Sequence, residues 1–306
     1  AAAAHATDGA GSIRMPSSFC GTFGFKPSRG RLLSGEADGS HPLLKHHHAI
    51  TKTVRDSALL FDITQDRSRG AAHKALKPIK HAGHKKLKIG LMFDNIRSTK
   101  VEAPIRQTIE AMAELCLVMG HDVIELSMTE QNGAWFWQHV ENMFLIRMPF
   151  LIAAIEQATG APFEDNQLLS PFTTSMGIAA RSLAHNAESE AMKVFNQCRP
   201  SLLSAFDTVD VMLTPVTPNM PFSHDRINPE GNFSDDGPKI ADMMSYMAIA
   251  NVYGLPAMSI PASMSEGLPI GAHFMAEQGR DDILFELAYA IEEAAAWRHI
   301  TPDILT

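Results

Sequence analysis

Ser12 is the residue in this sequence whose setting best suits a nucleophile. It follows Gly9, Ala10 and Gly11, so the backbone before it is nearly free of side chains. Small residues permit tight turns and close substrate approach, and consecutive N–H groups in such a turn can point at one oxyanion. A serine at the end of such a loop suits covalent catalysis. Glycines before a serine also describe an ordinary turn, and on spacing alone that is the first reading and the nucleophile the lesser one. A phosphate loop is excluded, because no G-K-[ST] follows the glycines.

The elements that must hold this loop are legible from pattern. Residues 1 to about 39 are rich in glycine and small residues and read as turns and short strands. Thr51 to Thr64 predicts a helix with Val54, Ala58, Leu59 and Phe61 on one side and Thr53 or Thr51 as its cap. Residues 65–86 are basic and polar without a period, which predicts a solvated surface linker and the only candidate boundary. LKIGLMF (87–93) reads as a buried strand. Pro104 opens an amphipathic helix to about Met119, carrying Ile105, Ile109, Met112 and Leu115, and Gly120 stops it before the strand HDVIEL (121–126). Residues 134–158 and Asn186 to Phe206 read as helical. VDVMLTP (209–215) is a strand ending at proline, after which Pro215, Pro218 and Pro221 keep the loop extended. Ile240 to Val252 predicts a helix, AMSIP (257–261) and PIGAHFMA (269–276) strands, and Asp282 to Ala296 the last helix. Strands and helices alternate, which argues for an α/β fold with a sheet covered by helices on both faces.

The string TDGAGSIRMPSSFCGTFGFKPSRGR (7–31) resembles the signature of the amidase signature family, T-D-x-G-G-S-I-R-x-P-[AS]-x-x-C-G-x-x-G-[LF]-K-P-[ST]-x-G-R. ITKTVRDSALLFD (50–62), DVMLTPVTP (210–218) and NVYGLPAMSIPASMSEGLPIGAHFMA (251–276) are similar to further segments of that family. Together they span nearly all of residues 5–300. The HATDGAGS and HHAITKTVRDS variants are similar to the branch of 6-aminohexanoate-cyclic-dimer hydrolase-like amidases.

The resemblance implies a single α/β/α sandwich domain over residues 1–306, with a twisted mixed sheet, hydrolysing a small-molecule carboxylic amide. Ser12 would be the acylated nucleophile, and the N–H groups of Gly9, Ala10, Gly11 and Ser12 the oxyanion hole. Thr7 occupies the place of a hydroxyl residue near the nucleophile. Asp8 and Arg14 would pair as scaffolding, a charge-assisted bond that fixes the loop. One departure is Ala10 where the family has glycine. A methyl group there is tolerated at negative φ and strained at positive φ.

Family enzymes use a Ser–Ser–Lys arrangement in which a neutral lysine takes a proton through a second serine. Both partners lie upstream of the nucleophile, and the eleven residues before Ser12 contain neither. The expectation is a C-terminal portion of an amidase, N-terminally truncated and inactive by itself, with exposed apolar surface and strand edges. The alternative is a non-catalytic remnant or partner subunit that keeps the fold. A transfer-RNA amidotransferase subunit fits the His-rich stretch at 46–48 less well.

Other residues are weighed on their own chemistry. His5 reads as a strand residue before the loop, with Ser–His catalysis the lesser alternative. Lys26 reads as structural and Cys20 as a small buried residue. His46, His47 and His48 are adjacent, so their side chains diverge. A metal site with His41 is the lesser reading, a loop near substrate the next, and a plain polar loop the first. His73, His81 and His84 fall in the linker and read as solvated. Trp135, Phe136, Trp137, Met143, Phe144, Met148 and Phe150 read as helix core, with a minority touching substrate. No metal or organic cofactor is implied.

Composition narrows the function classes. The chain has 306 residues, 45% hydrophobic and 20% charged, with a formal charge of -8, so it can bury a large core and lacks the basic face of a nucleic-acid binder. Its three widely spaced cysteines do not form a disulfide framework and fit a reducing, cytoplasmic setting. No apolar run approaches the ~20 residues of a membrane span. Oligomeric state is left open, a homodimer included.

Overall fold

The computed structural model describes residues 1–33, 43–128, 133–223, 226–228, 230–295 and 297. The expected participation of His41 in a metal site, and the Ala296 end of the last helix, lie outside these residues.

The chain runs β1 (Ala3–Asp8), α1 (Arg14–Cys20), β2 (Phe23–Lys26), β3 (His46–Thr51), α2 (Val54–Thr64), β4 (Lys88–Met92), α3 (Ala103–Val118) and β5 (Asp122–Leu126). It continues α4 (Gly133–Leu145), α5 (Met148–Thr159), α6 (Pro171–Arg181), α7 (Ala187–Leu203), β6 (Val211–Pro215), α8 (Phe233–Met243) and α9 (Ala248–Val252). It closes with β7 (Ala257–Ser265), β8 (Leu268–Ala276) and α10 (Asp281–Ala295). The strands form one eight-stranded sheet in the order β1-β3-β2-β7-β8-β6-β4-β5. β5, β4 and β6 are parallel and the rest pair antiparallel, so the sheet is mixed.

Period-2 alternation along the strands makes two cores. Phe23, Phe25, Ile89, Leu91, Val211, Leu213, Met258, Ile260 and Phe274 pack under α2, α3 and α10. Met92, Met212, Ala257 and Met275 point the other way, against α4, α7 and α9. That is the α/β/α sandwich expected from alternating strands and helices. The second face also carries a buried polar layer, Thr214, Ser259 and His273, on which the N-terminal loop sits. Among the described residues no helix is long and apolar enough to cross a membrane.

Several expectations need correction. The first 33 residues hold no long helix, but besides turns and short strands they include a seven-residue one, α1. Thr53 does cap α2, accepting from Asp56 N at 3.2 Å, but Leu59 is 61% exposed. The buried stripe is Val54, Ala58 and Phe61, at helical spacing, and Leu59 falls beside it. Leu115 is only half-buried in α3, and Cys116 takes the buried place. The 134–158 helix is two, α4 and α5, the second opening with Pro149 in its first turn. The 240–252 helix is also two. α8 starts earlier, where Asn232 accepts from Asp235 N, and α9 follows a break at 244–247. The 65–86 segment runs over the surface but is anchored at several points. Leu76, Ile79 and Ala82 pack on the core, the Gln65 side chain bonds both backbone groups of Leu76, and Arg31 Nη1 donates to Lys74 O.

Candidate active site

The loop between β1 and α1 is built around a buried ion pair. Asp8 and Arg14 are both fully buried, and the contact is bidentate: Nε to Oδ2 and Nη2 to Oδ1, each 2.9 Å. The Asp8 carboxylate also accepts from Gly11 N at 2.6 Å and Ile13 N at 3.3 Å, so it ties both sides of the turn that carries Ser12. Asn251 Nδ2, from α9, donates to the Asp8 carbonyl and to Oδ1, both at 2.9 Å. Burial pushes the Asp8 carboxyl up, but the Arg14 guanidinium outweighs it, with help from Lys26 and Asn251. The carboxyl is held well below its ordinary range and stays ionised.

All five Arg14 N–H groups have acceptors. Nε and one Nη2 hydrogen go to Asp8. The second Nη2 hydrogen goes to Asn251 Oδ1 at 2.5 Å, and Nη1 serves Met247 O at 3.1 Å and His273 Nε2 at 3.0 Å. Asp8 and Arg14 are therefore paired across the loop. The pairing draws on α9 and β8, far away in sequence.

The turn depends on Gly11, whose φ is +132°. A Cβ there would run into the side chain of Met247, which is fully buried. Gly11 O accepts from Met15 N at 2.7 Å and closes the first turn of α1. Ala10 is buried, and the non-glycine residues of positive φ among those described are Ser98 and Glu266, so the methyl group is unstrained. Gly11→Ala should destabilise by about 2–4 kcal/mol in urea unfolding, combining backbone strain with overpacking, while Ala10→Gly should cost less than about 1 kcal/mol.

Ser12 is exposed at the outer end of this turn, and its side chain bonds no described residue. The N–H groups of Gly9, Ala10 and Ser12 donate to no described group, whereas Gly11 N–H is committed to Asp8. Of the four N–H groups expected to face an oxyanion, Gly11 N–H is thus taken and three are left uncommitted. Phe144 of α4 covers the loop, its Cε1 lying 3.5 Å from where a Gly9 Cβ would stand. Of the aromatic and Met cluster, Phe136, Trp137, Met143 and Met148 are buried, while Trp135 and Phe150 are exposed.

The remaining sequence candidates do not join Ser12. Thr7 is exposed, and its hydroxyl bonds no described residue. His5 stacks on His47 with ring centroids 5.6 Å apart. Lys26 is fully buried, and Nζ donates to Pro27 O at 2.9 Å; burial, then Arg14, pushes its pKa well below the usual lysine value. Cys20 is exposed, contrary to the expectation of burial.

The histidine stretch is strand β3, not a polar loop. Burial and the nearby Lys26 charge keep the His46 ring neutral, and its Nδ1 bonds Leu44 O. His48 bonds Ser57 Oγ, and burial pushes it down to about 4. The two rings take different partners, and no group of three metal-ligating side chains occurs among the described residues. His73 is half-buried and bonds Arg29 O at 3.0 Å, whereas His81 and His84 are exposed.

Sequence reasoning assigned no role to Asn251 or His273. Both fall in the family-like segments NVYGLP and GLPIGAH. Two buried polar residues within otherwise apolar helix and strand segments were the available signal.

The structure is similar to that of 6-aminohexanoate cyclic dimer hydrolase, with a TM-score of 0.87 and 23% identity, covering 100% of this chain and 67% of that one. AmiC of Mycobacterium tuberculosis, named as an amidase, is 28% identical over 307 residues. A glutamyl-tRNA(Gln) amidotransferase subunit of Helicobacter pylori is 27% identical over 325 residues, covering 96% of this chain and 68% of its own. The chain spans 63% of the length of AmiC while 98% of it is matched. The amidase family model matches residues 1–285, and the chain belongs to the amidase signature family.

Proposed function

We propose that the protein hydrolyses carboxylic amides through an acyl-enzyme on Ser12. The observation that carries this reading is the turn itself. An exposed serine stands beside three uncommitted N–H groups, on a loop locked by a buried ion pair. Ser12 Oγ would attack the amide carbonyl carbon as its proton leaves to a base. The carbonyl oxygen, now negative, would be met by the N–H groups of Gly9, Ala10 and Ser12. Collapse would expel the amine, which takes up a proton, and leave an ester on Ser12. Water would then release the acid and restore the serine.

No described histidine, lysine or carboxylate is hydrogen-bonded to Ser12. We assign the base to the lysine and second serine that the family resemblance implies, supplied by residues other than these 306. The substrate is a small-molecule amide, linear or cyclic, and the setting cytoplasmic. The alternative, a non-catalytic remnant or subunit, keeps the same turn without turnover.

Fluorophosphonate labelling, read by intact mass and peptide mapping, tests this. An upstream-extended form that carries the lysine and second serine implied by the family resemblance should be labelled at Ser12, and the 306-residue chain at least tenfold more slowly. Equal labelling of both would place the base within the 306 residues. No labelling of Ser12 in either folded form would sink the nucleophile assignment.

A further inference from the structure

We propose that His273 is a positioning residue for the nucleophile turn: a neutral ring protonated on Nδ1, whose Nε2 lone pair fixes the Arg14 guanidinium and, through it, Asp8 and the Ser12 loop. The proposal rests on the Ser12 reading only in calling that loop catalytic.

Hydrogen-bond direction settles the ring's state. Arg14 Nη1 is 3.0 Å from His273 Nε2, and a guanidinium nitrogen has only donors, so Nε2 must accept. The ring proton then sits on Nδ1, 2.9 Å from Thr214 Oγ1. The Thr214 hydroxyl accepts it and gives its own hydrogen to Pro215 O at 2.9 Å. Every donor in this chain of bonds has one acceptor, and moving the ring proton to Nε2 would set it against an Arg14 N–H. An imidazolium would set Nε2–H against the guanidinium. Burial, then the Arg14 charge, keeps the ring neutral, with Lys26 adding to this and Asp8 opposing it. Those three are the charged groups that act on it, from α1, β2 and the end of β1.

The position matters as much as the state. His273 lies on β8 in the middle of the sheet, in register with Thr214 of β6 and Ser259 of β7. Arg14 is the first residue of α1 and Asp8 the last of β1, so the ion pair spans the loop. Met247 O is the other acceptor at Nη1, but it comes from the break between α8 and α9. His273 thus ties the guanidinium to an inner strand of the sheet, whereas Asp8 lies on the edge strand β1. A carboxylate at this place would add a second buried negative charge, and an aliphatic side chain would leave an Nη1 hydrogen unpaired. A neutral imidazole avoids both.

The test compares His273→Leu, which removes the acceptor, with His273→Gln, which keeps an amide oxygen and an amide donor. The readout is hydrogen exchange at the Gly11 and Ile13 amides, both held by Asp8. His273→Leu should speed exchange there at least tenfold while amides of β4 stay unchanged, and His273→Gln should restore protection to within threefold of wild type. Unchanged exchange in His273→Leu, or failure of glutamine to restore it, overturns the proposal. If His273→Leu does not fold, the wild-type ring decides. Long-range 1H–15N spectra, assigned by the signal lost in His273→Gln, should show Nδ1–H at both pH 8 and pH 5.5. An Nε2–H or doubly protonated pattern overturns the proposal. Fluorophosphonate reaction at Ser12 should follow the same order in the upstream-extended chain. If wild type does not react there, the serine reading fails, and exchange and ring state still decide the role of His273.

Discussion

Replacing Arg14 by leucine is expected to destabilise the protein by about 3–5 kcal/mol at pH 7, the range for leaving a buried charge without its partner. Asp8 and Arg14 are both fully buried, so water cannot take over for the lost guanidinium. Urea unfolding at several pH values gives the diagnostic result. In wild type the Asp8 carboxyl is held below its unfolded value, so its contribution is present above about pH 4 and is lost as pH falls through the folded pKa. In the variant, burial acts without its main opponent and raises the folded pKa above the unfolded one. The variant is then penalised as pH rises, and its deficit against wild type should shrink between pH 7 and pH 4. A deficit that is constant with pH would mean that the ion pair is not what the substitution removed. Asp8→Asn in the Arg14→Leu background should recover part of the loss, because it deletes the stranded charge.

The second large effect lies on activity. Ser12→Ala should lower amide hydrolysis by on the order of 10^4- to 10^6-fold, the scale seen when an acyl-forming serine is removed. It should change stability by less than about 0.5 kcal/mol, since the Ser12 side chain is exposed and bonds no described residue. The two substitutions therefore separate the roles. One tests a residue that holds the loop, the other the residue proposed to react from it. Residual hydrolysis within tenfold of wild type in Ser12→Ala would assign the chemistry to another group. A loss of stability like that of Arg14→Leu would show that Ser12 belongs to the scaffold. Hydrolysis and stability are each compared between variant and wild type in the same length of chain.

The legible parts of the site were those encoded over a short stretch. Ser12, Gly9 and Gly11 stand together, and the Asp8–Arg14 pairing spans six residues, so type and spacing sufficed. What spacing could not give was the direction of each N–H. Gly11 N–H looked like its neighbours in sequence, and only the φ of +132° and the reach of Asp8 commit it elsewhere. His46 and His48 were misread because three histidines carry no apolar alternation. In the strand His46 Nδ1 bonds Leu44 O and His48 Nε2 bonds Ser57 Oγ, and burial keeps both rings neutral. Along 65–86 the anchoring contacts were not legible, because scattered Leu76, Ile79 and Ala82 show no period, yet each packs against the core.

By itself, the sequence determined the alternating α/β class, the positions of the main strands and the family, because periodicity and local motifs survive without knowledge of contacts. Only the tertiary structure decided which groups close around the turn. Asn251 and His273 lie 237 and 259 residues from Arg14, and no local pattern couples such positions. They meet because α9 and β8 pack behind the loop. There the low dielectric makes every unpaired donor costly and gives each Arg14 hydrogen its own acceptor.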